Sequence, residues 1–125
     1  MAKTEIYRPR ARGVDAQRII GCKVENEQGE SLGKIESLII DLVEGRVVCA
    51  VLSFGGFLGL GEKLFPIPIE GLKYRPDEGR FLLNVERETL KNAPGYDRDN
   101  MPDMNDRGYT SKVYSHYGYM PYWGE

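Results

Sequence analysis

Long apolar stretches are missing from this chain of 125 residues. A membrane-spanning helix needs about 20 consecutive apolar residues, and no run in the sequence approaches that length. The opening MAKTEIYRPRARG is charged, and the apolar segment of a signal peptide does not follow it. The sequence therefore predicts a cytoplasmic protein without a transmembrane segment, and it leaves peripheral contact with a membrane complex open.

Cysteine and histidine are also scarce. Cys22 and Cys49 match neither a zinc-ligand spacing nor a CxxC redox pair, and the apolar run VVCAVL around Cys49 indicates a buried free thiol. The only histidine, His116, has no constellation of catalytic partners beside it, which indicates a packed or surface aromatic. The acidic residues of the C-terminal third do not follow the spacing of a calcium-binding loop; they are Asp97, Asp99, Asp103 and Asp106. We therefore expect no enzyme activity, no catalytic residue, no cofactor and no metal.

The net charge of −2 hides a change of sign along the chain. Residues 1–18 carry five basic and two acidic side chains, whereas residues 19–95 carry nine basic and twelve acidic ones. Affinity for nucleic acid depends mostly on Lys and Arg, so an acidic body does not predict a nucleic-acid partner. The N-terminal arm is either a flexible, solvated end or a small anion-binding patch. Its arginines are Arg8, Arg10, Arg12 and Arg18.

Glycine, by contrast, is abundant, with 15 residues. The segment GGFLGLGEK lacks the Lys-Ser/Thr ending of a P-loop and the spacing of a dinucleotide fingerprint, so its glycines are predicted to form structural turns. These glycines are Gly55, Gly56, Gly59 and Gly61. Three apolar residues share the loop and either plug a barrel end or face a partner: Phe57, Leu58 and Leu60.

Short apolar runs alternate with turn residues through the middle of the chain, which is typical of an antiparallel β domain. The predicted strands are 19–24, 33–43, 46–54, 64–69 and 81–85. Residues 47–52 are apolar throughout, which predicts a central strand covered on both faces. A shift in the apolar period predicts a bulge near Ser37. Pro66 and Pro68 place their strand at an edge or barrel rim.

The last forty residues change character twice. A short helix is predicted within residues 86–93, followed by a polar linker. The end of the chain then concentrates six aromatic residues, whose burial would be strongly favourable: Tyr109, Tyr114, Tyr117, Tyr119, Tyr122 and Trp123. We expect this aromatic arm to pack against a barrel, its own or that of a second copy. Thr110 or Ser111 is predicted to cap a short helix that Gly118 ends.

The ordered motifs GESLGKIESLIID, VLSFGGFLGLGEKLFPIPIEGL and LKNAPGYDRDNMPD make residues 19–103 resemble the PRC-barrel family. The family includes the cytoplasmic domain of the photosynthetic reaction-centre H subunit and part of a ribosome maturation factor that binds a small-subunit protein. The resemblance implies an all-β fold, a small antiparallel six-stranded barrel, used for docking on proteins. The expected organisation is an N-terminal arm (1–18), a barrel domain (19–95), and a linker with the aromatic arm (96–125).

Two classes of function follow, with a weaker third. The first is a non-catalytic module that docks on a protein partner of unknown identity, as a homodimer. The second is a ribosome or RNA-processing assembly factor, and the third is a barrel that binds a small ligand. For the docking module, the predicted partner-binding residues are Phe57, Leu58, Leu60, Tyr114, Tyr117, Tyr119, Tyr122 and Trp123.

Overall fold

The computed structural model describes residues 13–55 and 62–124. Seven strands form one sheet in the order β5-β6-β1-β2-β3-β4-β7. The strands are β1 (Lys23–Glu25), β2 (Ser31–Asp41), β3 (Arg46–Gly55), β4 (Glu62–Pro68), β5 (Leu72–Arg75), β6 (Arg80–Leu83) and β7 (Tyr96–Asp97). The α-helices are α1 (Ala16–Ile19), α2 (Arg87–Lys91) and α3 (Arg107–His116). Two 3₁₀ turns, Ile69–Gly71 and Pro76–Glu78, flank β5.

The predominantly β character predicted from the sequence is confirmed, but the six-stranded antiparallel barrel is not. The sheet has seven strands, and β1 pairs with β6 in parallel while every other pair is antiparallel. Among the described residues, β5 and β7 each pair on one side only, so the sheet is open. The two strands that no predicted range includes are short: β5 has four residues and β7 has two.

The central position predicted for β3 is confirmed, since β3 lies between β2 and β4. Successive residues of a strand point to opposite faces of the sheet. Ala50 and Leu52 accordingly belong to the main core, while Val51 packs with Leu64 and Tyr96 in a second cluster. Both faces of β3 are therefore covered, which explains its continuous apolar run.

Two bulges shape the β2–β3 pair. The first follows the predicted shift near Ser37: Ile35 pairs with Leu52 and Ser37 with Val51, which leaves Glu36 as the extra residue. The second lies in β3, where Ile39 pairs with Cys49 and Ile40 with Val47, and Val48 is skipped. A bulge leaves its extra residue out of the ladder. Val48 therefore has no paired residue on β2.

The edge position predicted at Pro66 and Pro68 is confirmed for that half of β4, although β4 itself lies between β3 and β7. Pro66 and Pro68 pair with β3, whereas β7 covers β4 only at Lys63 and Leu64. At the level of the prolines, β4 has β3 as its only strand partner among the described residues. Because proline cannot donate a backbone hydrogen bond, this is where a strand tolerates it.

The predicted boundaries differ from the structure at the start of the domain. The first strand begins at Lys23, because residues 16–19 form a single helical turn instead. Asp15 caps that turn by accepting a hydrogen bond from the Gln17 amide at 2.9 Å. Ile19 still packs against the main core, but from the helix. Of the predicted N-terminal arm, residues 1–12 lie outside the described residues.

Candidate functional site

The glycine-rich loop falls largely outside the described part of the chain. Gly56, Phe57, Leu58, Leu60 and the two later glycines, Gly59 and Gly61, lie outside the described residues. Gly55 ends β3, where it pairs with Glu62 at the start of β4. The roles predicted for this loop stay predictions.

The aromatic arm is ordered and folds back on its own sheet, with α3 packed near β4. The predicted cap is wrong. The helix begins at Arg107, and Asp106 caps it by accepting from the Gly108 amide at 2.8 Å. Thr110 lies within the helix, where its hydroxyl donates to a carbonyl of the preceding turn, that of Asp106 or Arg107. Asp106 is therefore the N-cap residue, and its side chain satisfies one free amide of the first turn, that of Gly108.

The end of the helix is as predicted. Gly118 has φ +82°, a left-handed conformation that glycine adopts at little cost. The Gly118 amide donates to the Ser115 carbonyl and the Tyr119 amide to the Tyr114 carbonyl, both at 3.0 Å. This pair of hydrogen bonds forms a Schellman motif. It turns the chain back, so the last residues run towards the β2–β3 hairpin.

Tyr114, one of the predicted partner-binding residues, lies in the interior and is 0% exposed. Its hydroxyl donates to the Val48 carbonyl at 2.6 Å. Val48 is skipped by β2 at the bulge, and β4 ends at Pro68, opposite Cys49. Tyr114 therefore supplies a donor at a point of β3 where no neighbouring strand has a paired residue.

Two further tyrosines of the arm bury their hydroxyls without a hydrogen-bond partner in the described structure, namely Tyr109 and Tyr117. Tyr117 packs against the main core. Loss of solvation raises the pKa of Tyr109 to about 12, and it raises the pKa values of Tyr114 and Tyr117 further. All three are neutral phenols near pH 7. Tyr119, by contrast, is 38% exposed.

The last two aromatics meet the base of the hairpin. The Tyr122 hydroxyl donates to Asp41 Oδ2 at 2.6 Å, and the Arg46 guanidinium lies 3.9 Å from the centre of the Tyr122 ring. The Arg107 guanidinium lies 4.1 Å from the centre of the Trp123 ring, and the Trp123 ring meets those of Tyr114 and Tyr122 edge to face. Cation–π and edge-to-face contacts of this kind are attractive. Tyr122, Trp123, Arg46, Arg107 and Asp41 are called the aromatic clasp below.

Asp41 divides its two oxygens between the clasp and the turn that follows it. Oδ1 accepts from the amides of Val43 at 2.9 Å and Glu44 at 3.0 Å. Oδ2 accepts from Tyr122 and lies 3.7 Å from the Arg107 guanidinium. The hydrogen bond from Tyr122, followed by that from the Glu44 amide, holds the pKa of Asp41 below its usual value. The carboxylate therefore stays ionised and fixes both the turn and the arm.

The turn that Asp41 fixes presents two aliphatic side chains to solvent. Leu42 is 90% exposed and Val43 is 91% exposed, and Ile40 just before them is 49% exposed. Turns usually carry polar or glycine residues. We call Leu42 and Val43 the hairpin tip. The sequence pattern does not reveal this tip, because it predicts a strand over residues 33–43 that includes both residues, whereas β2 ends at Asp41.

The groups that would perform chemistry have local structural roles. Cys49 is buried, which raises its thiol pKa to about 12, and the Cys22 thiol donates to the Arg18 carbonyl. His116 has a ring nitrogen 2.9 Å from the Thr89 carbonyl and meets Tyr117 edge to face. In the ranges 13–55 and 62–124, no cluster of three or more histidine, cysteine or acidic residues could hold a metal ion. No helix in those ranges is long and apolar enough to cross a membrane.

Comparison with known proteins places the chain in a family. The model of the PRC-barrel domain matches residues 12–90. A solved structure named as a 16S ribosomal RNA processing protein, RimM, from Pseudomonas aeruginosa is similar at 18% identity with a TM-score of 0.41. That similarity covers 66% of this chain and 50% of the other, so the chain spans about half the length of that protein. No curated protein sequence matches. Because the family model matches more than half of this chain, the chain belongs to the PRC-barrel domain family.

Proposed function

We propose that this protein is a non-catalytic docking module that binds a protein partner through the hairpin tip. The observation that carries the proposal is a pair of aliphatic side chains, Leu42 and Val43, about nine-tenths exposed on a turn whose backbone is hydrogen-bonded. Single exposed apolar residues are common on protein surfaces. Two adjacent ones, raised on a fixed turn with Ile40 behind them, form a site that a partner can bury.

The energetics favour such a use. Fully burying one Leu or Val side chain contributes about 1.5–3 kcal/mol. Because Asp41 already holds the Val43 and Glu44 amides, less conformational entropy is lost when a partner binds. The tip is therefore preorganised for binding.

The shape and charge of the hairpin indicate the kind of partner. All five residues from 42 to 46 are exposed, so the turn projects from the sheet. Two projecting turns would touch over far less than the roughly 800 Å² per partner that a stable interface buries. The partner therefore has a concave apolar cleft. Glu44 forms no ion pair with any described residue, which favours a basic side chain at the rim of the cleft.

Other occupants fit this surface less well. An anionic lipid surface would repel Glu44. RNA would need cations beside the tip, whereas Arg46, the basic residue that follows the hairpin turn, is paired with Glu70. A ribosome or RNA-processing assembly factor remains the alternative, in which the cleft belongs to a protein of that assembly. The cytoplasmic location and the homodimer expected from the sequence stay predictions, and a dimer would use a different surface.

Site-specific photocrosslinking in intact cells tests the proposal. A benzophenone amino acid replaces Val43 in one variant and Glu27, an exposed residue of the β1–β2 turn, in a matched control. The adducted protein is identified, purified and titrated by calorimetry against the wild type and Leu42→Asp. We expect a discrete adduct from position 43 alone and at least a tenfold loss of affinity in Leu42→Asp, without loss of folding. Equal adducts from both positions, adducts with lipid or RNA, or unchanged affinity in Leu42→Asp would each overturn it.

A further inference from the structure

The aromatic clasp touches the hairpin on both strands. Asp41 and Arg46 are register partners at the end of the β2–β3 ladder. Tyr122 contacts Asp41 through its hydroxyl and Arg46 through its ring face. Tyr122 therefore spans the base of the hairpin immediately below the tip.

The two ends of the arm converge on the same carboxylate. Arg107, the first residue of α3, lies 3.7 Å from Asp41 Oδ2 and also stacks on Trp123. Tyr122 donates to the same oxygen from the other end of the arm. If the arm leaves, Asp41 loses its partners on Oδ2 together. The carboxylate would then be free to rotate into water, away from the Val43 and Glu44 amides.

We propose that the C-terminal arm regulates the docking surface: the Tyr122–Asp41 hydrogen bond keeps the hairpin tip in its binding conformation, so that arm docking and partner binding are coupled. This inference rests on the proposed function for its consequence, although the coupling itself is a property of the free protein. Coupling between two sites is reciprocal. A partner on the tip therefore stabilises the docked arm, and any ligand that takes Tyr122 from Asp41 weakens the tip as a binding site.

The coupling can be measured by NMR on the ¹⁵N-labelled full chain without a partner. Tyr122→Phe removes the hydroxyl and keeps the ring under Arg46, while Tyr119→Phe is a matched control at a position of the arm that does not contact Asp41 in the described structure. We expect solvent exchange of the Val43 and Glu44 amides to rise about three- to tenfold in Tyr122→Phe, which corresponds to the net contribution of one ordinary hydrogen bond. Their order parameters should fall, and Tyr119→Phe should change neither quantity.

Trp123 is the only tryptophan, so its fluorescence reports whether the arm stays docked. A looser tip with unchanged fluorescence, or a looser tip with a released arm, supports the coupling. An unchanged tip in Tyr122→Phe would overturn the inference, because the coupling is assigned to the hydroxyl that this substitution removes.

Binding measurements separate this inference from the proposed function. With the partner identified by crosslinking, Tyr122→Phe should lower affinity at least about threefold while the tip side chains are intact. If Leu42→Asp leaves affinity unchanged, the proposed function fails, yet the NMR result still decides the coupling. If Leu42→Asp abolishes binding and Tyr122→Phe changes neither tip nor affinity, the docking proposal stands and the coupling fails.

Discussion

The hydrogen bond from Tyr114 to Val48 predicts that removing the Tyr114 hydroxyl lowers the stability of the fold. In Tyr114→Phe the ring stays in its site, and only the hydroxyl that donates at 2.6 Å is lost. The Val48 carbonyl then lies at a bulge with no paired residue on β2 and beyond the last pair of β4. A buried acceptor left without a partner costs about 1–3 kcal/mol.

Tyr117→Phe is the matched control, since it makes the same chemical change on the same arm. The Tyr117 hydroxyl is buried and has no partner in the described structure. Removing a polar group buried without a hydrogen bond relieves part of its desolvation cost, so the free energy of unfolding should stay constant or rise by up to about 1 kcal/mol. The same substitution should therefore lower the free energy of unfolding at Tyr114 but not at Tyr117.

Urea unfolding followed by circular dichroism measures both variants, with thermal melting as a second probe. For a domain of this size, about 1 kcal/mol corresponds to about 3–6 °C in melting temperature. We expect Tyr114→Phe to melt about 3–18 °C lower, at an unchanged urea m value. Equal losses in both variants would refute the reasoning, because they would show that the hydroxyls contribute independently of their partners.

Three other predictions follow from single sites. Gly33 has φ +115°, and a Cβ there would overlap the Ser53 carbonyl oxygen, so Gly33→Ala should cost more than about 2 kcal/mol in urea unfolding, whereas Gly29→Ala, with positive φ but open space, should cost about 1. Asn26, 1% exposed, bonds the Gln28 and Glu30 amides and the Val85 carbonyl, so Asn26→Ala should destabilise by about 2–4 kcal/mol; a loss under 1 would contradict this. Above pH 10 unfolded phenols ionise, while the buried Tyr109 and Tyr117 keep their protons because burial raises their pKa values. The folded state then binds more protons than the unfolded state, so the free energy of unfolding should fall from pH 10 towards pH 12. Absorbance at 295 nm that titrates wholly near pH 10 in the folded protein would contradict this prediction.

Features with a strong local pattern could be predicted from the sequence. The position of β3 follows from six consecutive apolar residues, since only a strand covered on both faces buries them all. The edge position at Pro66 and Pro68 follows from two missing donors. The end of α3 follows from Gly118, which adopts a positive φ at little cost.

Features set by tertiary contacts could not be predicted in this way. The parallel pairing of β1 with β6 leaves no mark in either strand, and β7 consists of two residues inside a polar segment. The cap predicted for α3, Thr110 or Ser111, lies four or five residues after the observed cap, because the sequence places Asp106 in an acidic linker. Asp106 has the side chain that an N-cap needs. The capping preference for aspartate was therefore the available signal.

The hairpin tip shows why the candidate site was harder to find than the fold. The aliphatic run from Ile39 to Val43 predicts one continuous strand, and Asp41 looks like an interruption of it. In the structure, Asp41 ends the strand by accepting from two amides of the turn. That local hydrogen bonding competes with continuation of the ladder. It moves Leu42 and Val43 from a predicted strand to a projecting turn.

The aromatic arm shows that composition predicts a driving force but not the surface that receives it. Six large aromatics favour burial on any apolar surface of sufficient size. The structure buries Tyr114 against a sheet defect that the second bulge creates, and it places Tyr122 on a carboxylate that the hairpin turn positions. Both receiving sites depend on the β2–β3 register. The position of the arm therefore depends on the same β2–β3 register that positions the hairpin tip.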